Sequence, residues 1–159
     1  MTIECQGIPV VGQATETVAG VITSGDGTFT ATLTALTSGT IALSPNADTL
    51  TYVKMGRIVS IHGYISVASS NGVGALRLGG LPYPAADQPE YGGASVFSLN
   101  LINLAIIPSG VVAAVIDEGE SVIKIKDDFC GTGNVSDDFA NHLKTATEIY
   151  IFGSYLAAS

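Results

Sequence analysis

Hydrophobic and polar residues alternate along most of the chain after residue 26, with the period of two that β-strands impose. In residues 27–33, apolar side chains fall on one face and threonines on the other. In YVKMGRIVSIHGYISV, residues 52–67, aliphatic residues share one face with Gly63, while His62 lies on the polar face. This pattern predicts two strands joined by a tight corner, with a close approach or a bulge at Gly63.

Further apolar runs follow at residues 96–107, 110–119, 121–126 and 147–159. The connection after Leu81-Pro82 is rich in glycine and proline, which is typical of a crossover between sheets. Eight to nine strands at spacings of about ten residues, with almost no helical periodicity, predict an all-β fold. We expect a jelly-roll-like antiparallel β-sandwich over residues 27–159.

Residues 1–26 have no clear periodicity, and we interpret them as an extended N-terminal arm. An ordinary first strand followed by a loop is the alternative. If the segment is an arm that reaches onto a partner, its aliphatic residues are the candidate anchors: Ile3, Ile8, Val10 and Val11.

Two consecutive predicted strands, 96–107 and 110–119, are apolar on both faces. An antiparallel sandwich normally leaves one face of each sheet in water, so we expect a neighbouring subunit to cover these strands. The hydrophobic fraction of 47% and the charged fraction of only 13% favour the same conclusion. The expected subunit-interface residues are Leu99, Leu101, Ile107, Val112, Ala114 and Ile116.

The charge pattern argues against several classes of partner. A net charge of −8 with six scattered cations disfavours binding to nucleic acid, because such a surface cannot follow a phosphate backbone.

No apolar run approaches the ~18 residues of a membrane-spanning helix. The N-terminal stretch carries Glu4 and no basic segment, so we expect no secretory signal. Cys5 and Cys130 are then expected to be free thiols, with a disulfide between them as the alternative.

The sequence contains no recognisable catalytic or metal motif. A nucleophile elbow of the form GxSxG and a zinc motif of the form HExxH are both missing, so we expect no enzyme activity and no cofactor. We interpret His62 and His142 as structural. A cation-binding loop is the weaker reading of one polar segment, with a merely solvated loop as the alternative. Its carboxylate and amide side chains are Asp127, Asp128, Asn134, Asp137 and Asp138.

Four segments in a fixed order resemble a module of tailed-bacteriophage virion proteins. They are GTFTATL at 27–33, YVKMGRIVSIHGYI at 52–65, LRLGGLPY at 76–83 and IYIFGSY at 149–155. The module resembles the β-sandwich heads of tail fibres, head fibres and capsid decoration proteins. The resemblance implies a homotrimer.

The short N-terminal segment favours one member of this group, a capsid decoration (cement) protein. Such a protein would be made in the host cytoplasm and would bind the major capsid protein shell on the outer surface of the virion. The alternative is the receptor-binding head of a tail or head fibre, which recognises a glycan or protein of the host surface. In that case the exposed loops matter, and Tyr83 and Tyr91 are candidate receptor contacts.

Overall fold

The computed structural model describes residues 24–88, 94–106, 111–128, 135–136 and 138–158. These residues form antiparallel strands and one short 3₁₀ turn, Phe139–His142, with no α-helix among them, which confirms the predicted all-β class. No described helix is long and apolar enough to cross a membrane. The strands are β1 (Ser24–Thr30), β2 (Thr32–Ala35), β3 (Ile41–Leu43), β4 (Thr49–Met55), β5 (Ile58–Ser70), β6 (Leu76–Gly79), β7 (Ser95–Ile102), β8 (Val111–Ile116), β9 (Ile123–Asp128), β10 (Val135–Ser136) and β11 (Glu148–Leu156).

Nine of the strands follow one another in the hydrogen-bonded order β1-β4-β5-β11-β7-β8-β9-β6-β2. The short strands β3 and β10 pair with β5 and β9. Only Ala31 separates β1 from β2 along the chain, so the two ends of the strand order are joined at a corner. The sheet therefore curls around a single core, as a sandwich of this class does.

The core consists of the apolar faces that the period of two predicts. On β5, Val59, Ile61, Ile65 and Val67 are buried, while His62 on the opposite face is exposed. Phe29, Ala31 and Leu33 are also buried, as are Ile149 and Ile151 on the last strand. Burial of each large aliphatic side chain contributes roughly 1.5–3 kcal/mol, so this inner face is the main source of stability.

Gly63 allows a close approach between β5 and β4, as the sequence predicts. Its φ is +140°, and a Cβ atom built on it would lie 2.9 Å from Cδ2 of Leu50. Leu50 is completely buried, so it has little room to move away. Any larger residue at position 63 would therefore push against the core.

The second half of the chain differs from the sequence prediction at one point. Asp127 and Asp128, expected in a loop, form the end of β9, where Asp127 is opposite Val112 on β8. Ser136 pairs with Asp127 as part of β10. The 3₁₀ turn that follows has Asp138 at its N-cap position and no side-chain cap.

The predicted subunit interface needs a correction. Ala114 and Ile116 are completely buried within the chain, so they have no surface to offer another subunit. Leu99, Leu101 and Val112 pack partly against the same core. Ile107 lies outside the described residues, as do residues 1–23 of the predicted arm and both cysteines, while residues 24–26 form the start of β1.

Candidate interaction surface

Large hydrophobic side chains are exposed mainly on one side of the sheet. Among the described residues eleven such side chains are exposed, and eight belong to strands β4, β5, β7 and β11. The strand register places all eight on the same face, because residues directly opposite one another share a face. We call this the outer face, and its exposed hydrophobic residues are Val53, Met55, Ile58, Tyr64, Val96, Ile102, Tyr150 and Phe152.

A shallow depression of about 460 Å³ lies in the outer face, where β5, β11 and β7 run side by side. Tyr64 and Tyr150 are directly opposite one another, and their rings stack with centroids 5.2 Å apart and planes at 22°. Phe152, which is 64% exposed, continues the apolar surface on the same strand. We call this site the aromatic depression, and its outward side chains are His62, Tyr64, Ser98, Asn100, Tyr150 and Phe152.

The orientation of Tyr150 is fixed by its neighbour on the strand. The Tyr150 hydroxyl donates a hydrogen bond of 2.9 Å to Oε2 of Glu148. This hydrogen bond raises the pKa of the Tyr150 phenol above its ordinary value, because the charged form would lose the donor and face a carboxylate. The phenol therefore stays neutral at physiological pH, and a carboxylate lies at the border of the depression.

The lining of the depression carries no lysine or arginine. His62 is its basic group, and Ser98 and Asn100 add a hydroxyl and an amide. Within the described part of the chain, no hydrogen bond between side chains occupies the polar groups of these three residues. An open apolar floor with a few free polar groups is the general character of a ligand-binding site.

A second part of the outer face is aliphatic. Met55 is 62% exposed, and Ile58, directly opposite it on β5, is 54% exposed. The hydroxyls of Ser60 and Ser154 lie 2.7 Å apart and separate Val53 on β4 from Val96 on β7. We call the region the aliphatic margin, and it consists of Val53, Met55 and Ile58.

The predicted cation-binding loop has only two described side chains, Asp127 and Asp138. Asp127 is 2% exposed and its Oδ2 lies 3.7 Å from Nε2 of His142. The described residues include no group of three side chains able to hold a metal ion. The structure does not describe the Asp128 side chain, Asn134 or Asp137, so the cation site stays a prediction.

Tyr83, the described member of the predicted receptor pair, packs against the rest of the fold. Its ring lies under Nζ of Lys54 at 4.4 Å and meets the ring of Tyr52 edge-on at 5.9 Å. Its carbonyl oxygen accepts a 2.7 Å hydrogen bond from the hydroxyl of Tyr155. Tyr91 lies outside the described residues. A receptor contact at Tyr83 and Tyr91 stays a prediction.

Comparisons with known proteins give a likeness in fold. No family model matches the chain, and no curated protein matches it. Among solved structures, the crystal structure of the Dettilon tailspike protein (gp208) is similar, with a TM-score of 0.67 and 20% identity. The similarity covers 85% of this chain and 24% of the tailspike chain. This chain therefore shares its fold with a segment that makes up about a quarter of a tailspike.

Proposed function

We propose that this chain is a receptor-binding module of a phage tail, and that the aromatic depression is its contact with the host surface. The observation that carries the proposal is the exposure of Tyr64, Tyr150 and Phe152 beside the polar side chains of the same depression. Contiguous exposed apolar patches of this kind mark interaction sites, because water contact with them is unfavourable. The proposal is one of recognition and includes no catalytic step.

The fold favours a location of this module on the phage tail over one on the capsid surface. The likeness is to a segment of a tailspike, and it agrees with the order of motifs that resembles phage virion proteins. A decoration protein would hold the capsid shell through the predicted arm, whose candidate anchors lie outside the described residues. The outer face belongs to the β-sandwich itself and needs no arm to bind.

We further propose that the module is a homotrimer whose subunits meet at the aliphatic margin. Each copy carries a net charge of −8, so the copies repel one another except where an uncharged surface allows close approach. Val53, Met55 and Ile58 provide such a surface, and Asp26 and Arg57 border it. Light scattering of the intact chain should give three times its mass of 16.2 kDa. A monomer would contradict this assembly.

The receptor role is tested by binding the fluorescently labelled chain to a panel of bacterial cells, with empty phage shells as a second target. Phe152→Ala should reduce cell binding, while Leu36→Ala should not, because Leu36 is 59% exposed but lies beyond β2, away from the outer face. Circular dichroism would check that both variants are folded. Binding to shells rather than to cells would support capsid decoration. Equal cell binding by both variants would place the receptor contact elsewhere.

A further inference from the structure

We infer that the aromatic depression selects a neutral glycan, and that it discriminates against acidic polysaccharides. The inference rests on the proposed function and adds the chemical class of the receptor. It follows from three properties of the site: its aromatic floor, its uncharged polar groups and the sign of the charge at its border.

The aromatic floor suits the apolar face of a sugar ring. Carbon-bound hydrogens on that face pack against aromatic rings, which offer a large rigid area at a small cost in conformational entropy. Tyr64 and Tyr150 are 43% and 38% exposed even though they stack on each other. Together with Phe152 they leave apolar surface on two adjacent strands open to a ligand.

The dimensions of the site suit a short stretch of polymer. The depression extends over β5, β11 and β7, so it spans two interstrand spacings, or roughly 10 Å. Its volume of about 460 Å³ lies in the range of small-molecule sites. Because it is shallow and open to solvent, a longer chain can lie across it.

The polar groups at the site match sugar hydroxyls. The Asn100 amide can both donate and accept, the Ser98 hydroxyl can do the same, and the His62 imidazole adds two ring nitrogens able to form hydrogen bonds. Ser98 and Asn100 lie on β7, directly opposite Phe152 and Tyr150. A sugar packed on the rings would therefore have amide and hydroxyl groups along one side.

The charge at the site opposes an acidic ligand. No lysine or arginine lines the depression, and the carboxylate of Glu148 lies at its border, held by the Tyr150 hydroxyl. A carboxylate or sulfate of an acidic polysaccharide would meet the like charge of Glu148 and no lysine or arginine of the lining, in a chain whose net charge is −8. Binding of a neutral glycan avoids this cost.

The test is a binding titration of the intact chain with two sets of polysaccharide fragments. The neutral set consists of glucan, galactan and mannan oligomers, and the acidic set consists of polygalacturonate and polysialic acid oligomers. We expect binding within the neutral set that changes little between low and high salt. Phe152→Ala and Tyr64→Ala should each weaken it roughly three- to tenfold, and Leu36→Ala should leave it unchanged.

Glu148→Gln is the variant that isolates the charge. Glutamine can still accept the hydrogen bond from Tyr150, so the floor is retained while the carboxylate is removed. It should raise the affinity for acidic fragments and leave that for neutral fragments within about twofold. Equal gains for both sets would show that the carboxylate does not discriminate by charge.

Other outcomes separate this inference from the proposed function. Acidic fragments that bind more tightly than neutral ones through Tyr64 and Phe152 would overturn the neutral class and leave the receptor role standing. Cell binding that depends on Phe152 and is abolished by protease treatment of the cells, without glycan binding, would indicate a protein receptor. Loss of self-association in Phe152→Ala, with no binding to glycans or cells, would assign the depression to a second copy and overturn both proposals.

Discussion

Tyr64 and Tyr150 stack across the boundary between β5 and β11, although 86 positions separate them in the sequence (150 − 64). The rings lie on the outer face and contribute little to the core. The pair nevertheless joins the longest strand of the sheet to the last strand of the chain. The aromatic depression therefore forms only when these two strands pair in the correct register.

We predict an energetic coupling between these two rings. In a double-mutant cycle with Tyr64→Leu and Tyr150→Leu, the coupling should change the equilibrium constant of unfolding by roughly two- to tenfold, measured in urea. His62 and Phe152 are a matched control pair, because they are also directly opposite one another and form no aromatic pair within the described structure. A coupling at the control pair as large as at the tyrosines would attribute the effect to strand pairing alone.

We predict that Gly63→Ala is strongly destabilising. The new methyl group would meet Cδ2 of Leu50 at 2.9 Å, at a φ of +140° that other residues rarely adopt. The free energy of unfolding should fall by about 1–3 kcal/mol, since overpacking and backbone strain add. Gly25→Ala is the control, because no atom lies within 4 Å of the added Cβ there. Similar losses at the two sites would mean that the approach of Leu50 has no energetic consequence.

The faces of isolated strands could be predicted from the sequence, because polar and apolar residues alternate. His62 illustrates this: its flanking residues alone place it on the outer face of β5. The fold class follows from the same alternation repeated along the chain. These inferences need only local information, namely the period of two and the turn residues between strands.

The subunit interface could not be assigned in this way. On β8 both faces are apolar, with Val112, Ala114 and Ile116 on one and Ala113 and Val115 on the other, so alternation cannot identify the core side. Ala114 lies opposite Ile125, a buried residue of β9, and this pairing places the face of Ala114 towards the core. Such pairing is a long-range property that no local pattern contains.

The aromatic depression was missed for the same reason. Tyr64, Tyr150 and Phe152 are outward residues of strands whose inward residues form the core, and each alone looks like a scattered surface aromatic. The signal available in the sequence was the presence of aromatic residues at positions where the alternation requires polar ones. Only the register between β5 and β11 brings them together.

We predict that Tyr155 makes the stability depend on pH in the alkaline range. Burial raises the pKa of its phenol to about 12, against about 10 in an unfolded chain. Because the folded state holds this proton more tightly, the stabilisation is complete below pH ~10 and is lost as the pH rises towards 12. Urea unfolding between pH 8 and pH 11.5 should show this loss.

Tyr155→Phe isolates that effect. It removes the hydrogen bond of 2.7 Å to the Tyr83 carbonyl, so the variant should be less stable at pH 8, and it should lose less stability on going to pH 11.5. The salt bridge of Lys124 with Asp117 also weakens at high pH, but it is present in both proteins and cancels in the comparison. Parallel pH profiles for the two proteins would assign the alkaline loss to other groups.

We predict unequal costs for the two members of the buried pair Asp127 and His142. Oδ2 of Asp127 lies 3.7 Å from Nε2 of His142, and Phe139 stacks on the imidazole at 5.1 Å. Oδ1 of Asp127 has no hydrogen-bond partner among the described residues. His142→Ala leaves a buried carboxylate without the imidazole beside it, which should cost roughly 2–4 kcal/mol. Asp127→Asn removes the charge but keeps the shape, and should cost about 1 kcal/mol or less.

The order of these two losses is measured by urea unfolding at pH 7, with and without added Ca²⁺. A larger loss for Asp127→Asn than for His142→Ala would contradict the prediction, because it would mean that the negative charge itself is stabilising. If Ca²⁺ then raised the stability of the unsubstituted chain and not that of Asp127→Asn, the charge would be required by a cation. The predicted cation-binding loop would in that case begin at Asp127, at the buried end of β9.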